Sequence, residues 1–272
     1  MIYAVGCAHS SSYCGVSSVL LDLTLTVLVP TLLVVLIAIL RGRRRAVSSG
    51  DFDSDSVSFA GGVISALFTV VLAFYVVFAW QLGADIDSSA TSEGQAVVDA
   101  HWQAEALPEP HRTSIQGLLR DYASSVADEE WPSLVNGQAH ARPAELVQQI
   151  RAEFAAVPES GGAVDFAREQ GLRDVRQIDE SHRARVDLAT GDDMFTRVLL
   201  AGTLVGAALM IAFPLLVGFS TRPVNIVILG ILTAVVGATV FISVQLSRPL
   251  DGPFGVGPDA LRSALQEIRP GP

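Results

Sequence analysis

Three sets of side chains in this sequence have the types and spacing to do chemistry. His101 and Glu105 stand four apart on a predicted helix, with Glu93 two turns earlier, a face that a divalent metal could use. Asp128-Glu129-Glu130 and Asp192-Asp193 concentrate carboxylates of the kind that hold Ca²⁺. Phe68, Leu72, Tyr75 and Ala79 line one face of an apolar helix with Thr69 beside them, the make-up of a hydrophobic constriction that gates a pore by dewetting. Each set has a plainer use. Acidic and imidazole groups on a helix usually form a solvated face, and apolar aromatic faces usually pack or anchor at a membrane interface. No cofactor or metal is expected. The sequence holds no HExxH, GxSxG or GxxxxGK[ST] pattern, and Gly255-Val256-Gly257 follows no strand, so no enzyme is expected either.

The element that must position the aromatic face is the run from Phe59 to Leu82, 24 residues without a charge. As a helix it would extend about 36 Å, enough to cross a hydrocarbon core of about 30 Å. Half the chain is apolar, and the apolar residues come in blocks. The reading is an all-α integral membrane protein with four transmembrane helices in two hairpins and a helical polar domain between them. Its parts are a tail (1–17), a first span (18–40, with Asp22 at its edge), a basic loop (41–56), a second span (57–82), an acidic helical domain (83–192), a third span (194–218), a turn (219–224), a fourth span (225–247) and a C-terminal tail with a short amphipathic helix (248–272). Within the domain, apolar spacing predicts one long helix over about 164–189. Breaks are expected at Pro108 and Pro110, at Trp131-Pro132, and from Pro158 to Gly162. No charge falls in the middle of a span, which argues against a proton-coupled transporter.

Net charge is −10, and every one of the 18 basic residues is Arg. Nucleic acid is excluded as a partner, because phosphate binding needs concentrated positive charge. The domain carries 20 acidic residues against 9 Arg. Arg41, Arg43, Arg44 and Arg45 follow the first span, and Arg222 lies between the third and fourth. The positive-inside rule therefore places both loops in the cytoplasm, and the N-terminus, acidic domain and C-terminus outside the plasma membrane. Cys7 and Cys14 are the only cysteines, too few for a disulfide framework or a complete zinc site.

A series of positions then forms a pattern: Ala79-Trp80 at the end of the second span, Glu93, Leu107-Pro108, Tyr122, Glu130-Trp131-Pro132, Arg183-x-Arg185 and Leu250-Asp251-Gly252-Pro253-Phe254. In order and spacing this resembles a group of bacterial membrane proteins described as bestrophin-like. Thr190-Gly191-Asp192-Asp193 departs from the Leu-Pro expected before the third span. The resemblance implies kinship with bestrophins, pentameric anion channels whose second helix lines the pore. It assigns no role to Glu93, Tyr122, Glu130, Trp131, Arg183, Arg185, Asp251, Pro253 or Phe254. The expected function is a self-associating ion channel in the lipid bilayer, with the second span lining the path and the ion's identity open. The alternative is a non-conducting membrane module whose acidic domain binds a partner or ligand.

Overall fold

A computed structural model describes residues 54–191, 194–217, 222–252 and 254–268, and six helical positions between 29 and 40. The expected N-terminal tail, most of the first span, the arginine-rich part of the first loop, the Asp192-Asp193 pair and Pro253 lie outside the described residues. Among the described residues the chain is helical and has no strand. The helices are α1 (Ser54–Glu105), α2 (His111–Ser125), α3 (Trp131–Val135), α4 (Ala141–Ala156), α5 (Ala163–Thr190), α6 (Met194–Val217), α7 (Pro223–Leu246) and α8 (Asp259–Glu267), with a π-helix (Val126–Glu130) between α2 and α3. Three of them, α1, α6 and α7, are long and apolar enough to cross a membrane.

Helix α1 sets the scale. It has 52 residues and no proline, and would be about 78 Å long if straight. The uncharged run fills its first half, and the polar sequence that follows continues the same helix without a break.

The chain divides into two compact units, residues 1–79 with 193–248, and residues 80–192 with 249–272. In the first, small residues let apolar helices approach one another. A β-carbon on Gly206 would meet the Phe68 ring at 2.8 Å, and one on Gly61 would meet Phe213 at 2.9 Å. Phe78 and Phe195 pack edge to face with ring centres 5.0 Å apart. The Tyr75 hydroxyl donates to the Ser243 carbonyl, so its one polar group is satisfied in an otherwise apolar setting.

The second unit has its own core, built from Leu107, Ile115, Leu119, Val147, Ile150, Phe154, Val175 and Ile178. Gly171 on α5 leaves room for the Phe154 ring of α4. Helix α8 and the residue that ends it close the core with Leu261, Ala264 and Ile268. Trp131-Pro132, expected to break the chain, does not. The backbone passes from α2 through the π-helix straight into α3, with Pro132 directly after the π-turn.

Candidate functional site

The second unit buries a set of ionised side chains that its apolar core does not require. Glu93, Glu130 and Arg185 are all fully buried. Each comes from a different element: Glu93 from α1, Glu130 from the last position of the π-helix and Arg185 from α5. A π-turn holds one residue more than an α-turn needs, which re-aims the side chains after it. Here it separates three consecutive carboxylates. Asp128 accepts from the Ser124 hydroxyl and Glu129 pairs with Arg142, both at the surface, while Glu130 turns inward.

Arg185 stands at the centre. Its Nε donates to Glu93 Oε2 at 2.8 Å, and its Nη2 reaches Glu93 Oε1 at 3.2 Å and Glu130 Oε2 at 2.7 Å. The planar guanidinium therefore bridges two carboxylates, one of them bidentate. The Tyr122 hydroxyl donates to Glu93 Oε1 at 2.6 Å. His182 Nδ1 lies 3.2 Å from Arg185 Nη2, and within 3.7 Å of Glu93 and 3.6 Å of Glu130. The Trp131 ring covers the guanidinium, with Arg185 Cζ 5.0 Å from the ring centre, a cation–π contact in a desolvated setting. Its indole N–H donates to the Val256 carbonyl, which ties the cluster to the C-terminal segment. Arg185 Nη1 and Glu130 Oε1 are buried with no hydrogen-bond partner.

The electrostatics follow from that geometry. Burial alone would raise the Glu93 pKa, but the adjacent Arg185 overrides it and holds the carboxyl below its ordinary value. Burial works against the Arg185 charge, yet Glu93 and Glu130 hold its proton more firmly than in a free arginine. Burial, and then the Glu93 charge, push the Tyr122 phenol well above its usual range, so it acts only as a neutral donor.

Five positions that the sequence pattern singled out, Glu93, Tyr122, Glu130, Trp131 and Arg185, thus meet in one cluster. The other four stand apart from these contacts or outside the described residues. Arg183 is exposed and pairs with Asp179 at 2.7 Å. Asp251 is exposed and accepts from the Gly252 amide in a turn, Phe254 is exposed, and Pro253 is outside the described residues. His182 joins the cluster although sequence reasoning passed it over. The signal available was its position three residues before Arg185, on the same helical face.

His101, the other candidate ligand, is buried with its Nδ1 unpartnered, and burial followed by the Arg120 charge lowers its pKa. Glu93, its proposed co-ligand, is committed to Arg185 and Tyr122. Among the described residues no three His, Cys, Asp or Glu side chains form a group suited to a metal.

On α1, Tyr75 and Ala79 are buried, Phe68 and Leu72 are half-buried, and Thr69 is exposed with its hydroxyl bonded to the Ser65 carbonyl. Another face of the helix is open. Val63, Leu67, Val70, Phe74 and Val77 are all exposed, spaced alternately by four and three. The same spacing continues through Gln81, Ala84, Ser88, Thr91 and Gln95, also exposed, to half-buried Val98 and exposed Trp102. No charged residue occurs at any of these twelve positions, although the domain around the outer ones is strongly acidic.

Residues 26–261 match the family model described as the Bestrophin-like domain. No curated protein and no solved structure matches the chain.

Proposed function

The chain belongs to the bestrophin-like family, and from that premise we propose a homo-oligomeric, channel-like membrane protein whose copies meet along α1 around an ion path. The observation that carries this reading is the uncharged stripe from Val63 to Trp102. Positions repeating every 3.5 residues on an exposed helix form the seam of a helical bundle, and a left-handed winding of the copies keeps such a seam in register. Lipid alone would not select neutral residues at Gln81, Ala84, Ser88, Thr91 and Gln95, which follow the apolar run into the polar domain. On this reading Val63, Leu67, Val70, Phe74 and Val77 face the path or the neighbouring copy. Phe68, Leu72, Tyr75 and Ala79 support α1 from behind, where Gly206 and Ser243 receive two of them.

The first span, residues 18–40, completes a four-span bundle, and the acidic domain stands outside the plasma membrane with both termini. Its charge of −11, from 20 acidic residues and 9 Arg, would concentrate cations at one mouth. Selectivity is therefore decided by the narrow apolar part of the path and not by attraction alone. Neither the domain nor the spans carry catalytic work.

The test is flux. Purified protein in liposomes should pass chloride or a small monovalent cation down a gradient, and Phe74→Ala should raise the rate by widening the apolar lining. Absence of flux under every gradient and ion would leave the second reading, a non-conducting module. One feature favours that alternative, an open cleft on the domain lined by Ser88, Ser89, Ser92, Gln177, Glu180, Ser181 and Ala184.

A further inference from the structure

His182 stands where the buried charges of the second unit fail to balance. The charged and titratable side chains against its ring are Glu93 of α1, Tyr122 of α2, Glu130 of the π-helix and Arg185 of its own helix. Two carboxylates therefore share a single guanidinium, and all three groups are fully buried. His182 is buried with them. Tyr122 supplies a hydrogen bond to Glu93 but cannot become a cation. Within the cluster, only the imidazole can add a positive charge.

The contacts show which form the ring has. His182 Nδ1 lies 3.2 Å from Arg185 Nη2. A guanidinium has donors only, so Nδ1 accepts there, and the imidazole is neutral with its proton on Nε2. In that form it leaves the second carboxylate unserved. Nδ1 is 3.7 Å from Glu93 Oε1 and 3.6 Å from Glu130 Oε2, both just beyond hydrogen-bond distance. Glu130 Oε1 is buried with no hydrogen-bond partner. The cluster thus lacks one donor and one positive charge, and an imidazolium supplies both. A proton on Nδ1 would be attracted by two carboxylates and repelled by one guanidinium at similar distances, so attraction prevails. Burial penalises a lone charge, but this one would pair with a carboxylate already present. A shift of under about 1 Å brings Nδ1 to the roughly 2.8 Å of a charge-assisted bond to Glu130.

We infer that His182 is a buried proton-binding site, an imidazole that passes from accepting the Arg185 hydrogen bond to donating one to Glu130 when it binds a proton. His182 sits on α5 and Glu130 ends the π-helix, so proton uptake adds a bond between those two elements. That bond forms where the chain departs from α-helical winding, a feature frequent at functional sites. The site lies wholly within the second unit, and works alike in one copy or several.

Nitrogen NMR of the full chain in lipid nanodiscs, with labelled histidine, tests it. The chain has His9, His101, His111, His140 and His182, and the His182 signals are those missing from His182→Gln. If that variant does not fold, a chain with the other four replaced by Gln leaves the His182 signals alone. At about pH 8 they should be those of a neutral ring protonated on Nε2. On acidification to about pH 5, across the range in which histidine serves as a switch, both ring nitrogens should move to imidazolium positions. Glu130→Gln keeps the side chain's shape and removes one of the two attracting charges. It should lower the midpoint of that transition by about 1 pH unit or more. The exposed His140 should show no such change in Glu130→Gln. If Glu130→Gln does not fold, the transition in the parent chain decides. A His182 ring still neutral at the acid end, one already charged at the alkaline end, or a midpoint unmoved in folded Glu130→Gln would overturn the inference.

Discussion

Replacing Arg185 with Ala removes the guanidinium and leaves Glu93 and Glu130 buried without a counter-ion. Breaking a buried pair by deleting one partner costs about 3–5 kcal/mol, because the surviving charge is stranded. The Trp131 ring loses its cation as well, a contact worth about 0.5–2 kcal/mol. For a chain of this size about 1 kcal/mol moves the midpoint by roughly 2–4 °C. The pair term alone therefore predicts a fall of about 6–20 °C near neutral pH. Tryptophan fluorescence during heating in nanodiscs reads it directly, since Trp131 touches the altered side chain.

The pH dependence carries the sign. With Arg185 in place, the Glu93 carboxyl sits below its ordinary pKa. It therefore contributes stability that is present above the unfolded value and is lost as pH falls through the folded one. Without Arg185 the burial that raises the Glu93 pKa is opposed only by the smaller contributions of His182 and the Tyr122 hydroxyl, so the variant recovers stability as acid neutralises the carboxyl. The gap between wild type and variant should narrow from pH 7.5 towards pH 5. A gap under about 2 °C at pH 7.5, or one that widens with acid, would refute the reasoning.

Three further substitutions test neighbouring parts of the structure by the same melting assay. Tyr122→Phe deletes a hydrogen bond to a charged group and should cost about 1.5–3 kcal/mol, with no matching pH dependence above pH 6. Gly171→Ala drives a methyl group into the Phe154 ring and should destabilise by about 1–3 kcal/mol, and Phe154→Leu should restore much of that loss. Asp174 is held up to about 6 by burial and by Asp99, with one carboxylate oxygen buried and unpartnered. Its raised pKa means stability is greatest below the unfolded value and is lost as pH rises through about 6. Asp174→Asn should therefore melt above wild type at pH 7.5 and level with it near pH 4.

Much of this architecture is legible in the residues, for physical reasons. An uncharged run from Phe59 to Leu82 has few stable forms other than a helix in lipid, and the absence of Pro or a glycine pair after it lets α1 continue. The apolar spacing of Leu172, Val175 and Ile178 predicts the long helix found at Ala163–Thr190. The Pro158–Gly162 break falls between α4 and α5. What the residues could not declare was convergence. Glu93 and Arg185 are 92 positions apart, and no periodicity links them. The pattern of the bestrophin-like group named five of the six cluster members without saying that they touch. The π-helix was invisible because Val126–Glu130 has an ordinary helical composition, and Trp131-Pro132 after it looks like a break. On α1 the aromatic face drew notice, but aromatic content does not distinguish a lining from a packing face. Exposure alone does not separate them, since Val76, Phe78 and Trp80 are exposed beside the Val63–Val77 stripe while Tyr75 and Ala79 are buried.

The claim on which the rest depends is that copies of this chain associate with one another. Native mass spectrometry of the protein taken from its own membrane into lipid nanodiscs measures this without a label, a substitution or an assumed ion. The account predicts a single predominant particle whose protein mass is an integral multiple, greater than one, of 28.8 kDa. A lone 28.8 kDa chain as the predominant species would contradict it.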